Sequence, residues 1–451
     1  MNLDRLVKRY LLAPAHTAWI YAGAGIAPAL HRELEELLPA LRTPAGRRPG
    51  FRPRRDGAII TTIEYRSLVE LVLRLTTAQE VSLQIAASSV PGPDSLDRLF
   101  AMVRWELFFR PGDRVGVRVD SRASTVYHEG LIRERAEAAL QKAGLTAEAA
   151  SAEGAAGRIT VRIERDRGRI ELALAGAPLW QRGYRARLVA VAPLREDLAQ
   201  AAIRAAEPEL YRAIAPPRPR PPEAGAPLPE ALLVPFCGTG TFLFEYAIAR
   251  LGIAPGLLGR EYGFSRLACG APPSAAWLLR TLAAELAERI LLAPRIEALL
   301  IDTSEESIGL ARENFDRFTT LVGAGSLPIT PSWITADALA LPWIARVPRD
   351  AARVFLPLNP PYGRRIPTGA TDELYERIGR RCEELNHDLA RRGPGASCRL
   401  SGFILCPSEE SWSAFSRAAA SLEKETTHFT QGGIDVRLCT FAAPTAAREG
   451  R

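Results

Sequence analysis

At 451 residues, with a formal net charge of +7 and a pI near 9.3, the chain exceeds what one compact core accommodates and suits two or three domains. The positive charge, most of it arginine, points to a polyanionic partner, although a basic surface also serves solubility. Cys237, Cys269, Cys382, Cys398, Cys406 and Cys439 lack paired metal-ligand spacing, so no metal is expected and a reducing compartment fits best.

The charged stretch 1–10 has no signal-peptide core, and no segment reaches membrane-spanning length without charges or prolines, so a cytoplasmic protein with no membrane partner is expected. From about Tyr21 to Leu75 the pattern predicts a strand, an amphipathic helix over 27–38, an arginine-rich loop, a strand over 58–63 and a second helix. That order suits a ferredoxin-like unit. The loop carries Arg42, Arg47, Arg48, Arg52, Arg54 and Arg55; such a run is commonly a solvated face, and phosphate contact is the reading favoured here. Between Val81 and Leu174 come a helix over 95–106, an alternating strand over 114–120, a helix over 130–142, and a hairpin of 158–164 with 169–174. The expected divisions are 1–75, 76–185 and 186–451, the last opening on a helix over 196–213. The proline-rich stretch 216–229 reads as a surface connection.

The apolar run 231–234 leads into Pro235, Phe236, Cys237, Gly238, Thr239, Gly240 and Thr241, then an amphipathic segment over 242–251, the order strand, glycine turn, helix. Gly238 and Gly240 let backbone approach a ligand, and amides at the helix start face it. Many doubly wound folds use such a turn merely to pack helix on strand. No His or other base lies near Cys237 in sequence, so it reads as a packing residue. Asp302 and Asp337 each end a short apolar strand, and Asp302 is of the kind that binds ribose hydroxyls. A further apolar run, 354–358, ends in Asn359, Pro360, Pro361 and Tyr362. The Asn359 oxygen and the Pro360 carbonyl can each accept one N–H of an exocyclic amine, while the Tyr362 ring can stack on a flipped base. Held this way, the amine loses planarity and its lone pair becomes available to an electrophile. Taken alone, the string also fits a proline turn after a strand. Arg364 and Arg365, just beyond, are placed to meet phosphates. Helix over 371–390 and strands over 400–406 and 433–441 complete the chain.

The ordered set of turn, acid, acid and Asn-Pro-Pro-Tyr resembles a class I S-adenosylmethionine-dependent amino-methyltransferase. The stretch 253–257, then Tyr262, Gly263, Phe264 and Trp277, forms an excursion longer than a single crossover. With it and with Gln181–Arg185 and Ala192–Leu198, the chain is similar to the bacterial large-subunit (23S) ribosomal RNA guanine-N2 methyltransferases that carry a THUMP domain. The resemblance implies a Rossmann-like α/β domain with a mixed seven-stranded sheet, preceded by an α+β ferredoxin-like and THUMP region that holds structured RNA. It implies S-adenosylmethionine as cofactor, on Pro235, Cys237, Gly238, Thr239, Gly240, Thr241, Leu194 and Asn359, with Asp302 on the ribose and Asp337 near the adenine. It further implies catalysis by Asn359, Pro360, Pro361 and Tyr362, and RNA contact through Arg47, Arg48, Arg54, Arg55, Arg364 and Arg365 of a monomeric enzyme. Two positions depart from the family: Val234 stands where an acid precedes the turn, and Ser304 where a second acid follows Asp302. A transfer RNA guanine-N2 methyltransferase, a DNA adenine-N6 methyltransferase and a non-catalytic RNA-binding descendant remain alternatives.

Overall fold

Alternation of apolar and polar residues builds the first sheet. The computed structural model describes residues 7, 9–10, 13, 16–41, 49–151, 154–187, 194–214, 227–269, 273–323, 327–361, 370–392, 398–431 and 434–444. They form two units, one of residues 1–22, 30–181 and 259–282, the other of 23–29, 182–258 and 283–451. In the first, strands β1 (His16–Ala22), β2 (Phe51–Arg54), β3 (Gly57–Ile63), β4 (Ala78–Ser89), β5 (Arg114–Arg122), β6 (Thr146–Ala149), β7 (Gly157–Glu164) and β8 (Arg167–Ala173) make one sheet, ordered β2-β3-β1-β4-β8-β7-β5-β6. Ile20 lies opposite Val81, Leu83 opposite Leu172, Leu172 opposite Ile159, and Ile159 opposite Val117. One apolar face therefore runs unbroken across five strands, all of these side chains being buried. Helices α1 (Ala27–Leu37), α2 (Tyr65–Arg74), α3 (Pro93–Ala101) and α4 (Glu129–Lys142) add buried Leu30, Leu68, Leu96 and Ile132.

The opposite face is polar and internally paired. Arg169 lies 3.7 Å over the Trp19 ring and Arg162 4.7 Å over Tyr21. Buried Glu171 accepts from the Tyr21 hydroxyl and from both guanidiniums. Much of the arginine charge on this face is thus already matched.

The excursion after the glycine turn has a structural explanation, since its residues 259–282 belong to the first unit. Arg260 donates to the carbonyls of Ala175, Ala177, Pro178 and Gln181. The Phe264 amide meets the Leu174 carbonyl at 2.9 Å, and Ala268 meets Phe108 at 2.7 Å. A Cβ on Gly263 would stand 2.9 Å from the Gly176 nitrogen, so glycine is required for this approach.

In the second unit, β9 (Glu230–Pro235), β10 (Ile296–Asp302), β11 (Ile329–Thr335), β12 (Arg353–Leu358), β13 (Arg399–Cys406), β14 (Glu423–Gln431) and β15 (Ile434–Ala442) are ordered β11-β10-β9-β12-β13-β15-β14. The first five are parallel; β15 runs antiparallel to both its neighbours. Continuous apolar runs such as Val354–Leu358 are buried on both faces, as parallel strands require. This is the mixed seven-stranded Rossmann-like sheet expected. Helices α5 (Glu196–Ala206), α6 (Thr241–Leu251), α9 (Glu305–Val322), α10 (Ala370–Ala390) and α11 (Glu409–Ala418) belong to this unit, whereas α7 (Gly263–Arg266) and the first half of α8 (Pro273–Leu292) belong to the first.

Several elements differ from expectation by more than a residue or were not expected. Helix α5 stops at Ala206, because Pro208 disfavours helical backbone at Glu207, and a 3-10 turn follows over Pro208–Ile214. Helix α3 starts two residues earlier, at Pro93, and ends at Ala101 rather than 106. Strand β14 carries the polar sequence EKETTHFTQ and shows no apolar alternation to read. Residues 216–226 of the proline-rich stretch lie outside the described residues.

Candidate active site

Strand order reverses between β9 and β12, so the crevice beyond their carboxyl ends is the place where an open α/β sheet binds ligands. Ile301 pairs with Pro235 and Asp302 with Thr335, which sets the ends of β9, β10 and β11 in one row. The expected residues at 235–241, 302, 337 and 359 all lie at or just beyond these strand ends.

Phe236, Gly238 and Gly240 have φ of 61°, 51° and 87°, a backbone path that turns the chain from β9 into α6. The two glycines have different roles. A Cβ on Gly240 would meet the Phe244 ring at 3.1 Å and Ala311 at 3.3 Å, so this position serves helix packing. A Cβ on Gly238 would meet nothing within 4 Å, which leaves its backbone open to a ligand. Cys237 is buried; desolvation, then the Asp302 carboxylate, drives its thiol pKa far up, so it stays a neutral packing group.

Asp302 holds this turn in shape. Its Oδ2 accepts the Gly238 amide at 2.8 Å and its Oδ1 the Ser304 amide at 2.9 Å. Ser304, the departure noted above, caps α9 by accepting the Ser307 amide at 3.1 Å. Asp337 is exposed; it caps the 3-10 turn Ala338–Ala340 through the Leu339 amide at 2.9 Å and stands 3.7 Å from Arg377.

Beside the turn sits a hub that sequence reasoning did not assign to the site. Arg185 donates to Thr239 Oγ1 and Thr241 Oγ1, each at 3.2 Å, to the Leu194 carbonyl at 3.3 Å and to Glu196 Oε1 at 2.7 Å. Asn314 Nδ2 donates to the Thr239 carbonyl at 3.0 Å. Behind them Arg182 pairs with Glu245 at 3.5 Å, both fully buried, and Tyr184 donates to the same carboxylate. Burial outweighs the Arg182 charge and pushes the Glu245 pKa up to about 7. The strings 181–185 and 192–198 held the signal, yet apart from Leu194, which was expected at the cofactor, they were legible only as a join between domains.

Asn359 follows β12, with Pro360 buried behind it. Its Oδ1 is buried and has no hydrogen-bond partner among the described residues. Such an acceptor costs about 1–3 kcal/mol unless a donor arrives. Tyr362, Arg364, Arg365, Arg47 and Arg48 lie outside the described residues. Arg54 pairs with Asp56 at 3.2 Å and Glu164 at 3.7 Å and lies 5.3 Å from the Trp19 ring centre, whereas Arg55 is exposed in the β2–β3 turn.

Comparison with known proteins bears on the fold and the family. Residues 224–393 match the family described as RMKL-like, methyltransferase domain. The ribosomal RNA large subunit methyltransferase K/L of Psychromonas ingrahamii is 32% identical over 224 residues, which is 49% of this chain and 26% of that protein. Its namesake from Pseudomonas paraeruginosa is 28% identical over 340 residues, 72% of this chain and 43% of that one. The chain thus spans less than half the length of these relatives. The crystal structure of SMU.472 complexed with SAH shares the fold, with a TM-score of 0.68 at 19% identity over 96% of this chain and 99% of that chain. Residues 224–393 are thus similar to the RMKL-like methyltransferase domain family that the motifs resemble.

Proposed function

We propose that the protein transfers a methyl group from S-adenosylmethionine to the exocyclic N2 amine of a guanosine in large-subunit ribosomal RNA. The orphaned Asn359 Oδ1 at the end of β12 carries this reading, because a buried acceptor beside an open glycine turn lacks only an N–H donor. The names of the curated relatives support the substrate class. S-adenosylmethionine supplies an electrophilic methyl group on its sulfonium. Gly238 lets the backbone approach the cofactor, and Asp302, whose oxygens each keep a free lone pair after accepting one amide, accepts from the ribose hydroxyls. Asp337 would be the residue that meets the adenine. Asn359 Oδ1 and the Pro360 carbonyl take the two amine hydrogens, with Tyr362 against the base, so the amine lone pair points at the methyl carbon. The bound cofactor would supply the methyl group in exchange for the amine proton, which would leave to water, with Asn359 and Pro360 holding the amine in place. The region 1–185, as a ferredoxin-like and THUMP module, holds structured RNA, and the enzyme acts as a cytoplasmic monomer.

The test is nucleoside mass spectrometry of ribosomal and transfer RNA methylated by purified protein. N2-methylguanosine in large-subunit RNA is expected. Methyladenosine, or product in transfer RNA alone, would replace the substrate; RNA binding without cofactor binding or methyl transfer would remove the enzyme reading.

A further inference from the structure

We infer that Glu196 is the acid that receives the ammonium of the cofactor's methionine moiety, at a site where Val234 supplies no charge; this rests on the S-adenosylmethionine reading above. Val234 is fully buried in β9 and pairs with Leu300, so nothing at that position can meet a cation. Glu196 opens α5 and is only 2% exposed. Its Oε1 accepts Arg185 Nε, while Oε2 is buried without a hydrogen-bond partner among the described residues. A carboxylate has about four acceptor positions, and burying one with an oxygen unused is costly unless a donor completes it.

The same guanidinium ties Glu196 to the glycine turn, since its other nitrogens donate to Thr239 and Thr241 on either side of Gly240. Each threonine hydroxyl has accepted from Arg185 and therefore keeps its own hydrogen to donate. Around the threonines that flank Gly240 there are thus a carboxylate oxygen without a hydrogen-bond partner among the described residues, a cation and two hydroxyl donors. That set matches an α-amino acid head group: ammonium to Glu196 Oε2, carboxylate to the threonine hydroxyls beside Arg185. Arg182 adds a second positive charge near Glu196, yet Oε2 has no hydrogen-bond partner among the described residues.

Calorimetry on the full chain separates these roles with three probes: S-adenosylhomocysteine, decarboxylated S-adenosylmethionine, which keeps the amine but lacks the carboxylate, and methylthioadenosine, which lacks both. Glu196→Gln is expected to weaken the first two by at least about tenfold, the scale of a lost charge-assisted hydrogen bond, and to leave methylthioadenosine unchanged. Its retained binding also shows that the variant is folded. Glu196→Asp keeps the charge but withdraws it by one methylene, and should give a smaller loss confined to the two amine-bearing probes. Equal weakening of all three probes, or unchanged affinity for all, overturns the assignment. Wild-type protein that binds none of them overturns the cofactor reading itself, and the assignment with it.

Discussion

Asp302 reaches from the end of β10 to accept the Gly238 amide at 2.8 Å, and so locks the glycine turn of one strand to the tip of its neighbour. Its second oxygen holds the Ser304 amide at the start of α9. The residue that departs from the family at 234 therefore does not leave the turn unordered. Asp302→Ala should weaken S-adenosylmethionine binding by about 1.5–3 kcal/mol, because two amides lose a charged acceptor and the ribose loses a partner. Asp302→Asn should lose nearly as much, since its amide nitrogen cannot accept from a backbone N–H. Calorimetry decides it; unchanged affinity in either variant removes Asp302 from the site.

What the sequence carried well were features set by local chain chemistry. The run 231–234 before Gly238 and the run 354–358 before Asn359 mark buried parallel strands whose ends must face one crevice, and these required no knowledge of tertiary contacts. The different roles of Gly238 and Gly240 could not be read, because they depend on where Phe244 and Ala311 come to rest. Arg185 and Glu196 lie more than forty positions before Thr239 and join it only through packing, so spacing gives no hint of them. Strand β14 escaped notice because a polar edge strand has no buried face to impose alternation, and its pairing with β15 is made by backbone.

The arginine loop now yields a sharper expectation than a block substitution. Arg54 is committed to Asp56, Glu164 and the Trp19 ring, whereas Arg55 is exposed. Arg55→Ala should lower the slope of log affinity against log salt for structured RNA by about one, the signature of one phosphate contact. Arg54→Ala should leave that slope nearly unchanged and reduce stability by under about 1 kcal/mol, the scale of half-exposed ion pairs. Replacing Arg47, Arg48, Arg54 and Arg55 together should flatten the salt dependence further without touching cofactor affinity. An identical slope in the fourfold variant returns the loop to a solvated face.

His16 gives the first unit a defined acid sensitivity. It is 6% exposed, and its Nε2–H donates to the Tyr10 carbonyl at 3.0 Å. Burial lowers its pKa, against a smaller opposing effect of that hydrogen bond. The folded state thus holds the neutral ring, while the unfolded chain takes up a proton below about pH 6.5. The stabilising contribution is fully present above that pH and is lost as pH falls through the depressed folded value. Urea unfolding of wild-type and His16→Gln protein at pH 7.5 and 5.5 checks the sign: the wild-type advantage should shrink at the lower pH. A constant difference would show that His16 does not titrate on unfolding.

Guanine N2 is a weak nucleophile because its lone pair is delocalised into the ring, so rate should depend on the two acceptors far more than binding does. Asn359 Oδ1 is buried and has no hydrogen-bond partner among the described residues, so its dipole needs no reorganisation when the amine pyramidalises. Removing it should therefore cost transition-state stabilisation with little change in the ground state. Asn359→Ala is expected to lower the single-turnover methylation rate by at least about a hundredfold, with RNA and cofactor affinities nearly unchanged. It should also relieve the cost of the orphaned oxygen, so the variant should unfold no more easily than the wild type. A variant that loses RNA affinity in proportion to rate would mark Asn359 as a binding contact. One that methylates at the wild-type rate would place the amine elsewhere, since no acceptor needed for activation can be deleted without kinetic consequence.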